Sequence, residues 1–125
     1  MNDPVIYRCE ICGNLLFTID NSGVIPTCCG EPMTEVTANT EDAVHEKHVP
    51  VIRQDHNSVA VWVGAEPHPM SVSHRINFVV LVTDKGAYVR TFSPGDAPEA
   101  QFILAPDESV EAAYAWCNLH GLWKG

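Results

Sequence analysis

The last cysteine and the last histidine of this sequence lie three residues apart near its C-terminus, in Cys117-Asn118-Leu119-His120. The other four cysteines all precede residue 30, so Cys117 has no thiol near it in sequence. A thiolate beside a histidine acts either as a nucleophile or as a metal ligand. Further histidines upstream favour the metal ligand.

Two upstream motifs carry those histidines: Glu46-Lys47-His48-Val49-Pro50, and Pro67-His68-Pro69-Met70, which is followed by His74. Each motif alone is a weak signal, because a single histidine is more often solvated or hydrogen-bonded than bound to metal. Together, four neutral imidazoles and one thiolate suit a redox-active iron better than zinc, which rarely takes five protein ligands. Four nitrogens in a plane with the sulfur below would leave one position open for a small anion. The candidate ligands are therefore His48, His68, His74, Cys117 and His120.

Two charged residues adjoin the candidate ligand His48. Lys47 places a cation where an anionic substrate would approach, which should raise the encounter rate for a protein of net charge −9. For Glu46, a solvated charge on the surface explains the residue nearly as well as a role at the site does. His45 and His56 lack such a context and are expected on the surface.

The four early cysteines form a second candidate metal site. Cys9-x-x-Cys12 is a metal knuckle, and the adjacent pair Cys28-Cys29 completes four thiolates. Adjacent side chains tend to diverge, so binding both to one ion should widen one sulfur–metal–sulfur angle. Zinc and iron fit four thiolates equally well by ligand type, whereas disulfides are disfavoured in a reducing cytosol.

Composition limits the classes of partner. The chain has 125 residues, 46% of them hydrophobic, and an isoelectric point near 4.9. Its acidity argues against nucleic acid and against an anionic membrane, but permits a basic protein partner. No signal peptide or long apolar run is visible, the longest being Phe78 to Val82. We therefore expect a soluble cytoplasmic protein.

The metal-site motifs must be positioned by short strands. Residues 1–37 are expected to form a small metal-stabilised domain, with strands over residues 5–8 and 15–19. Residues 37–46 are polar and read as a linker or covering loop. In the domain 38–125 the pattern predicts strands at 49–53, 59–63, 74–83, 87–92, 101–105 and 110–116. Residues 108–115 have some helical propensity but lead directly into Cys117, so a strand is favoured. The predicted fold is all-β, with an immunoglobulin-like antiparallel sandwich of about seven strands.

Dense motifs run through both segments and make the chain similar to desulfoferrodoxin, the two-iron class of superoxide reductase. Residues 7–14 and 28–33, which read Tyr-x-Cys-x-x-Cys-Gly-Asn and Cys-Cys-Gly-Glu-Pro-Met, resemble its desulforedoxin-type domain. The neelaredoxin-type domain is resembled by four further stretches: residues 46–51, 68–70, 94–100 and 117–124.

The resemblance implies an iron at each site. Cys9, Cys12, Cys28 and Cys29 would hold a distorted rubredoxin-like iron. The four histidines and Cys117 would hold a square-pyramidal iron that reduces superoxide to hydrogen peroxide without forming dioxygen. The family pattern gives Cys117 the role of favouring peroxide release, Lys47 that of attracting superoxide and ordering a proton-delivering water, and Glu46 that of a sixth ligand in the oxidised state. Rubredoxin would be the electron donor, and the chain would form a homodimer.

The chain departs from the family pattern directly after His74. Here it has Arg75-Ile76-Asn77-Phe78, where the family has aromatic and acidic residues. This difference bears on the nearby surface, and through it on donor docking or on the potential of the site. Two other functions stay open on the sequence alone. One is an electron carrier whose two irons only relay electrons, and the other is a zinc-ribbon interaction module with a structural second site.

Overall fold

The computed structural model describes residues 4–41 and 48–125, and the described residues form strands and turns without any helix. The chain divides into two compact units, Asn2–Thr37 and Ala38–Gly125. Within the described residues there is accordingly no helix long and apolar enough to cross a membrane.

The smaller unit consists of five very short strands. They are β1 (Ile6–Arg8), β2 (Leu15–Phe17), β3 (Thr27–Cys28), β4 (Glu31–Pro32) and β5 (Thr34–Glu35). The strand β1 lies between β2 and β5 in one antiparallel sheet, and β3 pairs with β4. The buried cluster of this unit contains Tyr7, Cys9 and Met33. So small a core stabilises a fold only weakly, which is why a bound metal matters here.

The larger unit is a sandwich of two antiparallel sheets, as the sequence predicted. Its strands are β6 (Pro50–Asp55), β7 (Ser58–Val63), β8 (Ile76–Thr83), β9 (Ala87–Thr91), β10 (Glu99–Ile103), β11 (Val110–Cys117) and β12 (Gly121–Lys124). One sheet has the order β10-β7-β6 and the other the order β12-β11-β8-β9.

Alternation along β7 fixes which face of its sheet is buried. Val59, Val61 and Val63 are all buried and belong to the core, whereas the residues between them are partly exposed. In β8 the buried residues run without interruption from Val79 to Thr83, as expected for a central strand. Leu81 of β8 packs in the same core cluster as Val61, which joins the two sheets.

The strand β11 confirms the choice of strand over helix, since it pairs with β8 along most of its length. Its last pair joins Cys117 to Ile76, with a register shift between Trp116 and Cys117. The strand β8 therefore begins at Ile76, and His74 lies in the preceding loop.

The sequence did not predict the last strand, β12. It is only four residues long, and it starts at Gly121, whose φ of 85° completes the turn from Cys117. A second difference concerns the expected linker, because Asn39 forms a parallel bridge with Trp123 and exchanges backbone hydrogen bonds with this strand. Residues 42–47 of that stretch lie outside the described residues.

Candidate metal centres

The four cysteines of the smaller unit converge on one point. The sulfur atoms of Cys9, Cys12, Cys28 and Cys29 all lie within 4.8 Å of one another. The Cys12–Cys28 distance is 3.7 Å and the Cys28–Cys29 distance is 4.0 Å. Sulfur ligands about 2.3 Å from a tetrahedral ion lie about 3.8 Å apart, so both distances fit one metal ion.

Local backbone geometry lets the adjacent cysteines face the same ion. Cys29 has a φ of 54° and Gly30 a φ of 78°, so two successive residues adopt the left-handed conformation. This sharp turn brings the Cys29 sulfur back towards that of Cys28. A left-handed cysteine is uncommon, and nothing in the residue pattern predicted it.

Hydrogen bonds around the first knuckle act on the thiol of Cys9. The Cys12 N–H donates to the Cys9 sulfur over 3.5 Å. This bond, with a smaller contribution from the Ile11 N–H, lowers the pKa of Cys9 to about 6, against the opposing effect of burial. In contrast, hydrogen bonds with Cys12 and Cys9 raise the pKa of Cys29 to about 12. Four thiols this close do not all ionise without a cation, which suits a site that releases protons on binding metal.

The second cluster is assembled from four separate segments of the larger unit. His48 precedes β6, His68 and His74 lie between β7 and β8, Cys117 ends β11, and His120 lies in the turn before β12. One donor atom from each of the five lies within 4.8 Å of the others. The structure thus brings together all five residues that the sequence singled out.

The four imidazole rings follow one another around a closed circuit. Ring centroids are 4.6 Å apart for His48 and His68, 4.8 Å for His68 and His74, 5.1 Å for His74 and His120, and 4.9 Å for His120 and His48. Neighbouring rings are steeply inclined, at 60° to 85°. This is the order expected for four nitrogens around one ion.

Individual distances agree with that reading. His48 Nε2 and His120 Nδ1 are 3.1 Å apart, close to the roughly 3.0 Å between two nitrogens bound at right angles with bonds of about 2.1 Å. The Cys117 sulfur lies 3.6 Å from the same His120 nitrogen. His68 Nδ1 lies 2.7 Å from the Pro69 carbonyl oxygen, to which it donates its proton, so Nε2 carries the lone pair.

The ligands of this centre differ in exposure. Cys117 is 0% exposed and His48 is 1% exposed, whereas His120 is an exposed residue. Trp123 stacks on the His48 ring, with centroids 4.6 Å apart and planes 15° apart, and forms a wall of the centre. An anion would therefore approach away from the sulfur.

Two other histidines and the flanking charges were also assigned from the sequence. His56 is exposed beside Asp55 in the turn after β6, as predicted. Lys47, Glu46 and His45 lie outside the described residues, so their predicted positions stay predictions. Asn118 makes hydrogen bonds beside the centre and was not predicted from the sequence. Its place between Cys117 and His120 was the available signal.

Two metal-binding units, one with four thiolates and one with four imidazoles and a thiolate on a β-sandwich, define a class of two-centre metalloprotein. The chain belongs to the desulfoferrodoxin family. The family model "Desulfoferrodoxin" matches residues 40–125, and "Desulfoferrodoxin, N-terminal domain" matches residues 2–36.

Individual relatives agree with this assignment. Desulfoferrodoxin from Nitratidesulfovibrio vulgaris is 44% identical over 123 residues, covering 98% of this chain and 96% of the relative. The structure of the superoxide reductase from Treponema pallidum has a TM-score of 0.87 at 32% identity and covers 100% of this chain and 99% of its own. The superoxide reductase (1Fe-SOR) from Giardia intestinalis has a TM-score of 0.56 at 32% identity, and covers 64% of this chain and 95% of its own.

As a member of this family the chain has two iron cofactors, one for each donor group. The donor chemistry fits, because four thiolates suit a rubredoxin-like iron and mixed imidazole and thiolate ligands suit a redox-active one.

Proposed function

We propose that this chain is a superoxide reductase, which reduces superoxide by one electron to hydrogen peroxide without releasing dioxygen. The observation that carries the proposal is the convergence of four imidazoles and one buried thiolate from four chain segments. The ferrous centre would be held by His48, His68, His74, His120 and Cys117.

The contacts of the rings indicate which nitrogen atoms serve as ligands. His48 offers Nε2 and His120 offers Nδ1, since these two atoms face each other across 3.1 Å. His68 offers Nε2, because its Nδ1 proton is given to the Pro69 carbonyl. The mixed use of Nδ1 and Nε2 follows from the tight turn that carries His120 only three residues after Cys117.

Iron bound at this centre supplies one electron to superoxide. The chain determines the direction of approach: the buried Cys117 side is inaccessible, and the side of the exposed His120 is accessible. Cys117 would also donate electron density to the bound iron, which would favour peroxide release. Full burial keeps this thiolate away from solvent and from its own oxidation.

Lys47 and Glu46 immediately precede the ligand His48 in the sequence. We assign to Lys47 the attraction of the anion and the ordering of a water that delivers a proton. Glu46 would close the open position in the oxidised resting state. Both assignments rest on sequence position and on the family pattern.

The four-thiolate iron would be held by Cys9, Cys12, Cys28 and Cys29 in the domain 1–37, and the catalytic iron belongs to the domain 38–125. Compact units with nearly these bounds support the division. Cytoplasmic detoxification of superoxide, rubredoxin as electron donor and a homodimer complete the proposal, since reduced thiolates and an acidic surface suit that setting.

The direct test mixes the fully reduced protein with superoxide and measures products. One superoxide should oxidise one ferrous centre, with hydrogen peroxide as product and no dioxygen. Stoichiometric evolution of dioxygen would instead indicate a dismutase.

A second candidate is a two-iron electron carrier without enzymatic activity. The exposure of Cys12 and Cys29 favours it, because exposed ligands exchange electrons readily with a partner. Azide or cyanide separates the two functions, since either anion should occupy the open position and inhibit a reductase. A pure carrier would be indifferent to both.

A further inference from the structure

We propose that Asn118 is a positioning residue, which holds the loop of His74 in place against Cys117 and His120. The inference rests on the proposed iron centre but concerns how the chain builds it. Asn118 lies within the Cys117–His120 turn, and it reaches across to the residues on either side of His74.

Three hydrogen bonds make this connection. Asn118 Oδ1 accepts from the Arg75 N–H at 2.8 Å, and Asn118 Nδ2 donates to the Ser73 carbonyl at 2.9 Å. The Asn118 N–H also donates to the Arg75 carbonyl at 3.2 Å. One side chain therefore binds the residue before His74 and the residue after it.

The strand pairing explains why such a connection is needed. The ladder between β8 and β11 ends at the pair Ile76–Cys117, after a register shift. His74 lies two residues beyond that pair, and the ladder does not extend to it. Asn118 is the next residue after Cys117, so its hydrogen bonds with Arg75 and Ser73 extend the connection between the two chain segments up to the ligand.

Contacts within the loop fix its shape but do not attach it to the turn. The Ser71 side chain accepts from the His74 N–H and donates to the His74 carbonyl, each over 3.1 Å. The Arg75 guanidinium donates to the Val72 carbonyl. Ser71, Val72 and Ser73 are exposed, so burial contributes little to holding this loop.

The asparagine amide suits this position because it offers an acceptor and a donor at once. Arg75 N–H needs an acceptor, whereas the Ser73 carbonyl needs a donor. The variant Asn118→Asp keeps only the first of these two side-chain bonds and places a carboxylate against the Ser73 carbonyl oxygen. This variant therefore tests only the hydrogen bond that Asn118 Nδ2 donates to the Ser73 carbonyl.

The experiment follows iron release from each centre of the full-length protein under a chelator, in the absence of superoxide. For Asn118→Ala we expect the histidine–cysteine centre to lose iron to the chelator more readily, with an affinity about 10–100-fold lower, which is the size of effect that residues outside the ligand set have on metal binding. The thiolate-to-iron absorption band of that centre should shift, while the four-cysteine band stays unchanged as an internal reference.

Gln54→Ala is the matched control, because the Gln54 amide also donates to a backbone carbonyl, that of His56, but in an exposed turn away from the ligands. It should leave both bands and both release rates unchanged. Asn118→Asp should weaken the same centre as Asn118→Ala, and it decides the matter if the alanine variant does not fold.

The proposal would be overturned if a folded Asn118→Ala or Asn118→Asp protein retained iron at the histidine–cysteine centre as well as wild type does. The thiolate-to-iron band of that centre would then also be unchanged. Since no superoxide is used, that result would leave the proposed reductase activity standing. If the wild-type protein proved to have no superoxide reductase activity, the comparison of iron release between wild type and the variants would still be valid.

Discussion

The two metal centres of this chain are built in opposite ways. The ligands of the first span residues 9 to 29, and the buried cluster in the described part of its unit contains Tyr7, Cys9 and Met33. The ligands of the second span residues 48 to 120 and are positioned by a sandwich whose core cluster contains Val61, Leu81 and Ala113. We therefore expect the first centre to stabilise its own fold, and the second to be held by a fold that does not depend on it.

The second difference concerns access. Four thiolates fill the coordination of a tetrahedral ion, so the first centre has no position for a substrate. At the second centre Cys117 is buried and His120 is exposed, so we expect a substrate to approach from the His120 side. The first centre is therefore suited to electron exchange, and the second is suited to chemistry on a substrate.

Complete removal of metal should have the largest effect, and it should affect the two units differently. We expect the apo protein to lose the fold of the smaller unit while the sandwich stays folded, because the core of the smaller unit is too small to stabilise it alone. Hydrogen exchange measured along the chain should show protection lost in Ile6–Arg8 and kept in Ile76–Thr83. Equal loss of protection in both strands would contradict the account.

Replacing one imidazole ligand should have the second-largest effect. His68→Asn should lower the rate of oxidation by superoxide by more than about 100-fold, since even outer-sphere partners of metal ligands are worth about 10–100-fold. His56→Asn is the control, because His56 is exposed and its φ of 54° is one that asparagine tolerates. Stopped-flow absorption measures the rate of oxidation by superoxide for both variants. Similar rates for His68→Asn and His56→Asn would count against His68 as a ligand.

Lys47→Ala should have a smaller effect, confined to the second centre. We expect the rate constant for superoxide to fall on the order of 10-fold at low ionic strength, because the anion loses its local attraction. The difference from wild type should shrink as salt is added. A Lys85→Ala control removes a cation that pairs with Asp107 instead, and it should leave the rate unchanged.

The smallest effect concerns the stability of the sandwich in acid. Glu108 accepts hydrogen bonds from the Thr83 and Tyr88 hydroxyls and from the Ala105 N–H. The bond from Thr83 is the main cause that holds the pKa of Glu108 below its ordinary value of 4.5. The ionised form is therefore favoured by folding, and its contribution is complete above pH 4.5 and lost as the pH falls through the folded-state pKa.

Glu108→Gln should accordingly lower the urea midpoint of the sandwich at about pH 7, and the gap to wild type should narrow below pH 4.5. Tryptophan fluorescence would follow both proteins across that range. A gap that widens in acid would show that Glu108 is not stabilised in its charged form.

Much of the second centre could be predicted from the sequence, because its ligands sit in short motifs with distinctive residue types. The all-β sandwich was also predictable, since alternation in β7 and the apolar run in β8 report burial directly. Position alone could not show that His48, His68, His74 and His120 follow one another in a circuit. That order comes from strand pairing between distant segments.

What escaped prediction has physical causes. The strand β12 has only four residues, too few for a periodic signal. The left-handed Cys29 depends on the metal-site turn and overrides the usual preference of a residue with a side chain. Asn118 was passed over because a polar residue between two ligands reads as an ordinary turn residue until its partners are known.

A comparison of wild type with Cys117→Ser by iron analysis, visible spectrum and reaction with superoxide tests whether the histidine–cysteine centre carries the chemistry. We expect two irons per wild-type chain. The variant should lose one thiolate-to-iron band, retain the four-cysteine band and no longer be oxidised rapidly by superoxide. A reduced Cys117→Ser protein that superoxide oxidises at the wild-type rate would contradict the assignment of the chemistry to the histidine–cysteine centre.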